Sequence, residues 1–176
     1  MTSARYILNF GMISEYITNV RRNHALEHAT VSLLLGRLGP NIRVMGRASS
    51  DGFFLYGDIP TEMLGQCAQE ALARLQRGEA FWAVTPHCGT NIATTGVLAG
   101  LSTLAVTSGD GHKDRVSRAI LVSMLAVVIA QPLGRLIQRH LTTSADLAGT
   151  EIVAIEPRGN GRFYKVRTRR QAALAA

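Results

Sequence analysis

Two uncharged runs interrupt an otherwise basic chain, and they constrain its architecture more than any other feature. Thr90 to Ser108, TNIATTGVLAGLSTLAVTS, has no charged side chain, and Ala119 to Ile137, AILVSMLAVVIAQPLGRLI, has only Arg135 near its end. As a helix each run would extend about 28 Å, roughly the hydrocarbon thickness of a bilayer. Joined by SGDGHKDRVSR, they read as a transmembrane helical hairpin over residues 90–140. Gly96 and Gly100 form a small-xxx-small pair suited to close backbone approach, and Gln131 with Pro132 marks a polar or kinked spot facing a partner. The alternative is a buried soluble helical pair, because the first run is rich in Thr and Ser and only moderately hydrophobic.

Charge sets the expected topology. Of the 19 Lys and Arg, only Lys113, Arg115 and Arg118 lie in the connecting loop. Two spans return the chain to its starting side, so both flanks share a compartment, and the positive-inside rule makes it the cytoplasm. The net charge of +7 and pI near 10.2 suit anionic partners: phosphates, acidic headgroups or nucleic acid. The basic residues are dispersed, however, and no RRM-like aromatic pair, zinc-finger spacing, helix-turn-helix pattern or phosphate-cradling loop is present, which excludes a nucleic-acid binder. Cys67 and Cys88 form no CxxC pair, so neither a disulfide framework nor a zinc ribbon is expected, and a reducing compartment is favoured. Glu15 interrupts the early apolar patch and no small-residue cleavage site follows, so no removable signal peptide is expected.

Around the hairpin the periodicity changes. Apolar spacing from residue 13 to 38, ended by Gly39 and Pro40, predicts a helix. NIRVMGRAS and GFFLYGDI predict two strands about a Ser-Ser-Asp-Gly turn. Pro60 opens a second helix that Gly78 ends, and EAFWAVTP is again strand-like. After the hairpin, EIVAIEPRGNGRFYKVRT predicts two further strands about a Pro-Arg-Gly-Asn-Gly turn. The expected fold class is α+β. Residues 1–89 supply an N-terminal helix and a ββαβ part of a cytoplasmic domain, the hairpin at 90–140 interrupts it, and a β-hairpin within 141–176 completes the sheet. The closing RRQAALAA reads as a frayed tail.

Within the first helix lies HALEH, residues 24–28. His24, Glu27 and His28 at i, i+3 and i+4 share one helix face, and two imidazoles at that spacing can bind one metal ion. The pattern also fits H-x-x-E-H, in which two histidines hold zinc and the glutamate is general base toward the bound water. Inverted zincins take a third, acidic ligand from a downstream helix, and neither apolar run contains an acidic residue, so metal binding is a better reading than peptidase chemistry. The alternative is a pair of partly buried polar histidines, with Glu27 paired to Arg21, Arg22 or another base. His87 and His140 flank the hairpin and are the further candidate ligands, with Cys88 beside His87. Asp146 and Thr142 to Ser144 are candidates to orient an imidazole. His112, on the loop at the other end of the hairpin, is not expected to join.

RRNHALEHAT, GFFLYGD, PHCGTN and AQPLGRLIQRHLTTSADL together resemble an uncharacterised family of small bacterial membrane proteins known as a domain of unknown function, over roughly residues 20 to 155. The resemblance implies a two-span bacterial membrane protein and groups the same histidine-containing segments; with the charge distribution, the expected location is the inner membrane with both termini cytoplasmic. The resemblance implies no activity, cofactor or substrate. Two functional expectations follow. One is a divalent-metal, zinc-like site on His24, His28, His87 and His140, with Glu27 as general base in amide or ester hydrolysis at the membrane surface. The other is a non-enzymatic, membrane-anchored accessory or scaffold subunit. The expected partners are the lipid bilayer and a protein partner or a second copy of the chain, and no nucleic acid.

Overall fold

The computed structural model describes residues 3–39, 41–108 and 114–171. The lone-loop residues His112 and Lys113, Pro40 and the last five residues of the expected tail lie outside them. Helix α1, Ser3–Leu38, begins ten residues ahead of the expected start. It ends where Gly39 turns to φ +83, a conformation that penalises any Cβ, and the Gly39 N–H closes on the Leu35 carbonyl at 3.0 Å. Ala25, Leu26, Ala29 and Leu34 are its fully buried face.

The chain divides into two units, Met1–Val84 with Thr142–Ala176, and Thr85–Leu141. In the first, strands β1 (Met45–Ser49), β2 (Gly52–Tyr56), β3 (Thr150–Arg158) and β4 (Phe163–Arg170) form one antiparallel sheet in the order β1-β2-β4-β3. Ser49 faces Gly52 across a two-residue turn, Ser50-Asp51. A side chain on Gly52 would run into the Val166 carbonyl, so β4 can pair here only with glycine. Alternation sends Phe53 and Leu55 of β2, and Tyr164 and Val166 of β4, into the core beneath α1 and α2 (Thr61–Gln76), where Leu26, Leu34, Leu64 and Leu75 meet them. The C-terminal hairpin thus completes the sheet begun before the apolar runs.

EAFWAVTP does not form the expected third strand. Ala80–Ala83 is a single 3-10 turn. β2 is flanked on both sides, by β1 and β4, so the segment does not pair beside it. Gly78, at φ +86, instead folds it back on the end of α2. There the Glu79 N–H donates to the Arg74 carbonyl, the Trp82 indole donates to the Glu79 carboxylate, and the Arg74 guanidinium stacks 4.7 Å from the Trp82 ring. NIRVMGRAS likewise pairs only from Met45, because β2 ends opposite it at Tyr56.

The second unit is a pair of helices, α3 (Gly89–Thr107) and α4 (Arg115–Ile137). They run antiparallel: Thr103 Oγ1 lies 2.8 Å from Ser123 Oγ, while Asn91 reaches Gln138, which follows α4 in a π turn, Gln138–Thr142. At this end Gln138 Nε2 donates to Asn91 Oδ1 at 2.9 Å, Gln138 Oε1 accepts from the Thr85 N–H, and Asn91 Nδ2 donates to the Thr85 and Pro86 carbonyls. Gly134 lets the helices close there, since a Cβ would occupy the place of Asn91 Oδ1. Asn91, Gln138, Thr103 and Ser123 therefore bond between the helices, whereas Gln131, expected to face a partner, is exposed on α4. Ile92, Leu101, Leu104, Ile120, Val128 and Ile129 face outward and are exposed. Among the described residues one helix, Arg115–Thr142, is long and apolar enough to cross a membrane. The Thr and Ser content of α3 keeps its hydropathy below that of α4.

Candidate metal centre

HALEH sits in the buried middle of α1, and the structure places its polar side chains as one group in the first unit. The His24 and His28 rings pack edge to face with centroids 4.3 Å apart, and a ring nitrogen of each lies within 4.8 Å of the other. His28 is 2% exposed and Glu27 7%, while His24 is partly open.

Each imidazole is fixed by a backbone carbonyl. His28 Nδ1 lies 2.8 Å from the Ala83 oxygen, and His24 Nδ1 lies 2.9 Å from the Thr142 oxygen. A carbonyl only accepts, so in both rings Nδ1 carries the hydrogen, and the neutral imidazole keeps its lone pair on Nε2. This is the arrangement that orients histidine as a metal ligand. His28 Nε2 is buried and has no hydrogen-bond partner among the described residues, and the same holds for the Thr142 hydroxyl. A buried acceptor left unmade costs about 1–3 kcal/mol, which a bound cation or a proton-bearing ligand would relieve.

The carbonyls reach the rings because their segments are tied to α1. The 3-10 turn that replaces the expected strand brings Ala83 to His28. Residues 142–146 are strapped along α1: Arg21 Nη2 donates to the Thr143 carbonyl, the Ser144 N–H donates to the Arg21 carbonyl, and Arg22 binds Asp146 through both its carboxylate, at 2.6 Å, and its backbone oxygen. Arg22 holds the Asp146 carboxyl below the usual carboxylate range, chiefly through that hydrogen bond. Orientation by the 142–144 segment thus operates through a main-chain oxygen, whereas Asp146 serves Arg22 and no imidazole.

Glu27 Oε2 stands 3.8 Å from His24 Nε2. Its other oxygen packs on Gly46 of β1, which has room for it only because it lacks a side chain. His87 and His140 belong to the second unit, where both are exposed, one in the turn before α3 and the other in the π turn after α4. Cys88, also in that unit, is buried at the N-terminus of α3, and its Sγ accepts from the Thr90 N–H at 3.3 Å. Cys67 is a core residue of α2, and burial pushes its thiol up.

A second polar cluster in the first unit carries no motif. Lys165 of β4 is 2% exposed, with Nζ 2.6 Å from Ser49 Oγ, 2.7 Å from Asp51 Oδ1 and 4.1 Å from the Phe54 ring centroid. A lysine beside a serine suggests an activated nucleophile. Here the ammonium is committed to the Asp51 carboxylate, so the cluster ties the β1–β2 turn to β4.

No solved structure matches the chain. An uncharacterized protein of Picosynechococcus sp. is 34% identical over 140 residues, which cover 73% of this chain and 67% of that protein. A family model described as "Domain of unknown function (DUF6391)" matches residues 19–155, from α1 just ahead of the histidines, through both helices of the second unit, into β3. With most of its length matched, the chain belongs to the DUF6391 family.

Proposed function

We propose that this chain is a membrane-anchored protein that binds a divalent, zinc-like metal through Nε2 of His24 and His28. The observation that carries the reading is the pair of imidazoles one helical turn apart, each with Nδ1 held by a backbone carbonyl and His28 Nε2 buried without a partner. By chemistry, the donors available to complete the coordination are the imidazoles of His87 and His140 and the thiol of Cys88. Two membrane spans, α3 and α4, are supported by the inward polar network and the outward apolar side chains, the pattern a hydrocarbon solvent requires. The distribution of basic residues supports cytoplasmic termini.

A bound divalent metal supplies a Lewis acid that brings a water's pKa toward neutrality. Glu27, close to His24 and held by Gly46, is then the proton acceptor in hydrolysis of an amide or ester. Metal analysis of the full chain, purified in detergent without chelator, tests the site: one bound ion per chain is expected, with loss in a His24→Ala/His28→Ala variant. Binding unchanged by that double substitution would remove the reading. Single His87→Ala, Cys88→Ser and His140→Ala variants sort the remaining donors by their fall in affinity. Glu27→Gln is expected to retain metal and abolish hydrolysis. A partner protein that still co-purifies with all these variants would favour the scaffold role instead.

A further inference from the structure

One turn ahead of HALEH, α1 borders a different feature. A cleft of about 210 Å³ opens in the first unit between α1, the β1–β2 turn and the paired ends of β3 and β4. Its charged lining is Arg22, Arg169, Arg170 and Asp51. Asp51 directs its oxygens to Lys165 and Arg167, so its charge is offset from behind. Arg22 is fixed by Asp146 and Arg169 by Glu151, at 2.6 and 2.8 Å, which settles the planes of both guanidinium groups. The Arg170 guanidinium has no ion pair or hydrogen bond among the described residues, and from a longer range its charge joins that of Arg22 in lowering the Asp146 carboxyl. The cleft is also rigid: Asn23, 3% exposed, donates to the Ser49 carbonyl at 2.8 Å and accepts from Thr168 Oγ1 at 2.7 Å. Asn19 and Ser50 also line the cleft.

We infer that this cleft binds a phosphate group, presented as a phosphomonoester by a small solute or a lipid headgroup. Two guanidinium groups held in place, those of Arg22 and Arg169, with a third, Arg170, that makes no hydrogen bond, suit the several oxygens of a tetrahedral dianion better than a single-point anion. The volume lies below the roughly 300–1,000 Å³ of sites for drug-sized ligands, so it suits the phosphate and a short stem rather than a nucleotide. The inference does not depend on the metal site.

Calorimetric titration of the full chain in uncharged detergent tests it, with inorganic phosphate, glycerol 3-phosphate and dioctanoyl phosphatidic acid as probes and dioctanoyl phosphatidylcholine as the blank. At least one phosphate probe is expected to bind, and Arg170→Gln to weaken it about tenfold or more, the loss expected for a charge-assisted bond. Arg77→Gln, an equal change of charge at the exposed end of α2, is expected to leave affinity unchanged. Equal binding of glycerol 3-phosphate and the lipid assigns the site to a soluble ester, and a clear preference for phosphatidic acid assigns it to a headgroup. No binding by any phosphate probe, or equal weakening by Arg170→Gln and Arg77→Gln, would overturn the inference. Arg170 is exposed, so its variant is expected to keep the wild-type circular dichroism, which excludes misfolding as the cause.

Discussion

Gly46 and Glu27 are matched across the interface of β1 and α1: the place a Cβ would take on Gly46 is filled by the Glu27 carboxylate. Gly46→Ala is therefore expected to lower stability by about 1–3 kcal/mol, the usual cost of overpacking. Adding Glu27→Ala removes the clash, so the double variant is expected to lose less than the two single losses combined. Thermal or denaturant unfolding of the four proteins measures that coupling. Simple additivity would mean that the two residues do not constrain one another.

Asp51 and Lys165 are unequal partners, since the ammonium is buried and the carboxylate is exposed. Asp51→Ala leaves a buried charge short of a partner and is expected to cost about 1–3 kcal/mol. Lys165→Met leaves only a solvated carboxylate and fills a similar volume, so it is expected to cost less. The reverse order in urea melts would reject this asymmetry.

The same pair makes stability depend on pH. The Lys165 hydrogen bond holds the Asp51 carboxyl below its ordinary value of 3.8, so the folded state releases this proton more readily than the unfolded chain does. Its contribution is then complete above about pH 4 and fades as pH falls through the lower folded value. The gap in melting temperature between wild type and Asp51→Asn is expected to be widest near neutrality and to narrow below pH 4. A gap that stays constant down to pH 3 would contradict it.

Much of this architecture is legible in the residues themselves. Gly39 and Gly78 end helices where expected, HALEH lies on a helix, and the strands after the apolar runs join those before them. The exception, Ala80–Ala83, has good strand composition, but Gly78 turns it back on the end of α2, and the place beside β2 goes to β4 from far along the chain. The atoms that fix the two imidazoles, the carbonyls of Ala83 and Thr142, are common to every residue and leave no signature in sequence. Lys165 was equally hidden, because a charged residue on a strand ordinarily marks a solvated face. Asp146 does not orient an imidazole, since Arg22, on α1 two residues before His24, claims the carboxylate.

In the second unit, Gln138 links the Thr85 N–H to the Asn91 side chain. Gln138→Leu leaves both without that partner and is expected to destabilise the helix pair by about 1–3 kcal/mol. Gly134→Ala, which drives a methyl into Asn91, is expected to lower the melting temperature in detergent as well. Wild-type melting in both variants would show that the network does not hold the pair.

Val128, exposed on α4, tests whether that helix spans a membrane. Arginine at the centre of a spanning helix costs about 2.5–3.5 kcal/mol in insertion assays. Val128→Arg is expected to shift the chain out of the carbonate-resistant membrane fraction, while Leu141→Arg, at the helix end, is tolerated. Equal fractionation of the two variants would count against a spanning α4.

The strand order β1-β2-β4-β3 also has a consequence in time. Among the described strands β4 is the last to be synthesised, yet it supplies the inner partner of β2 and half of the sheet's buried face. Until residues 163–170 emerge, β2 carries a bare edge and Phe53 and Leu55 lack Val166 and Tyr164. Helices α3 and α4 are therefore synthesised while the first unit is an open half-sheet. Such long-range pairing is slow to form and exposes the nascent chain to aggregation, so closure of the first unit must wait until β4 has been made.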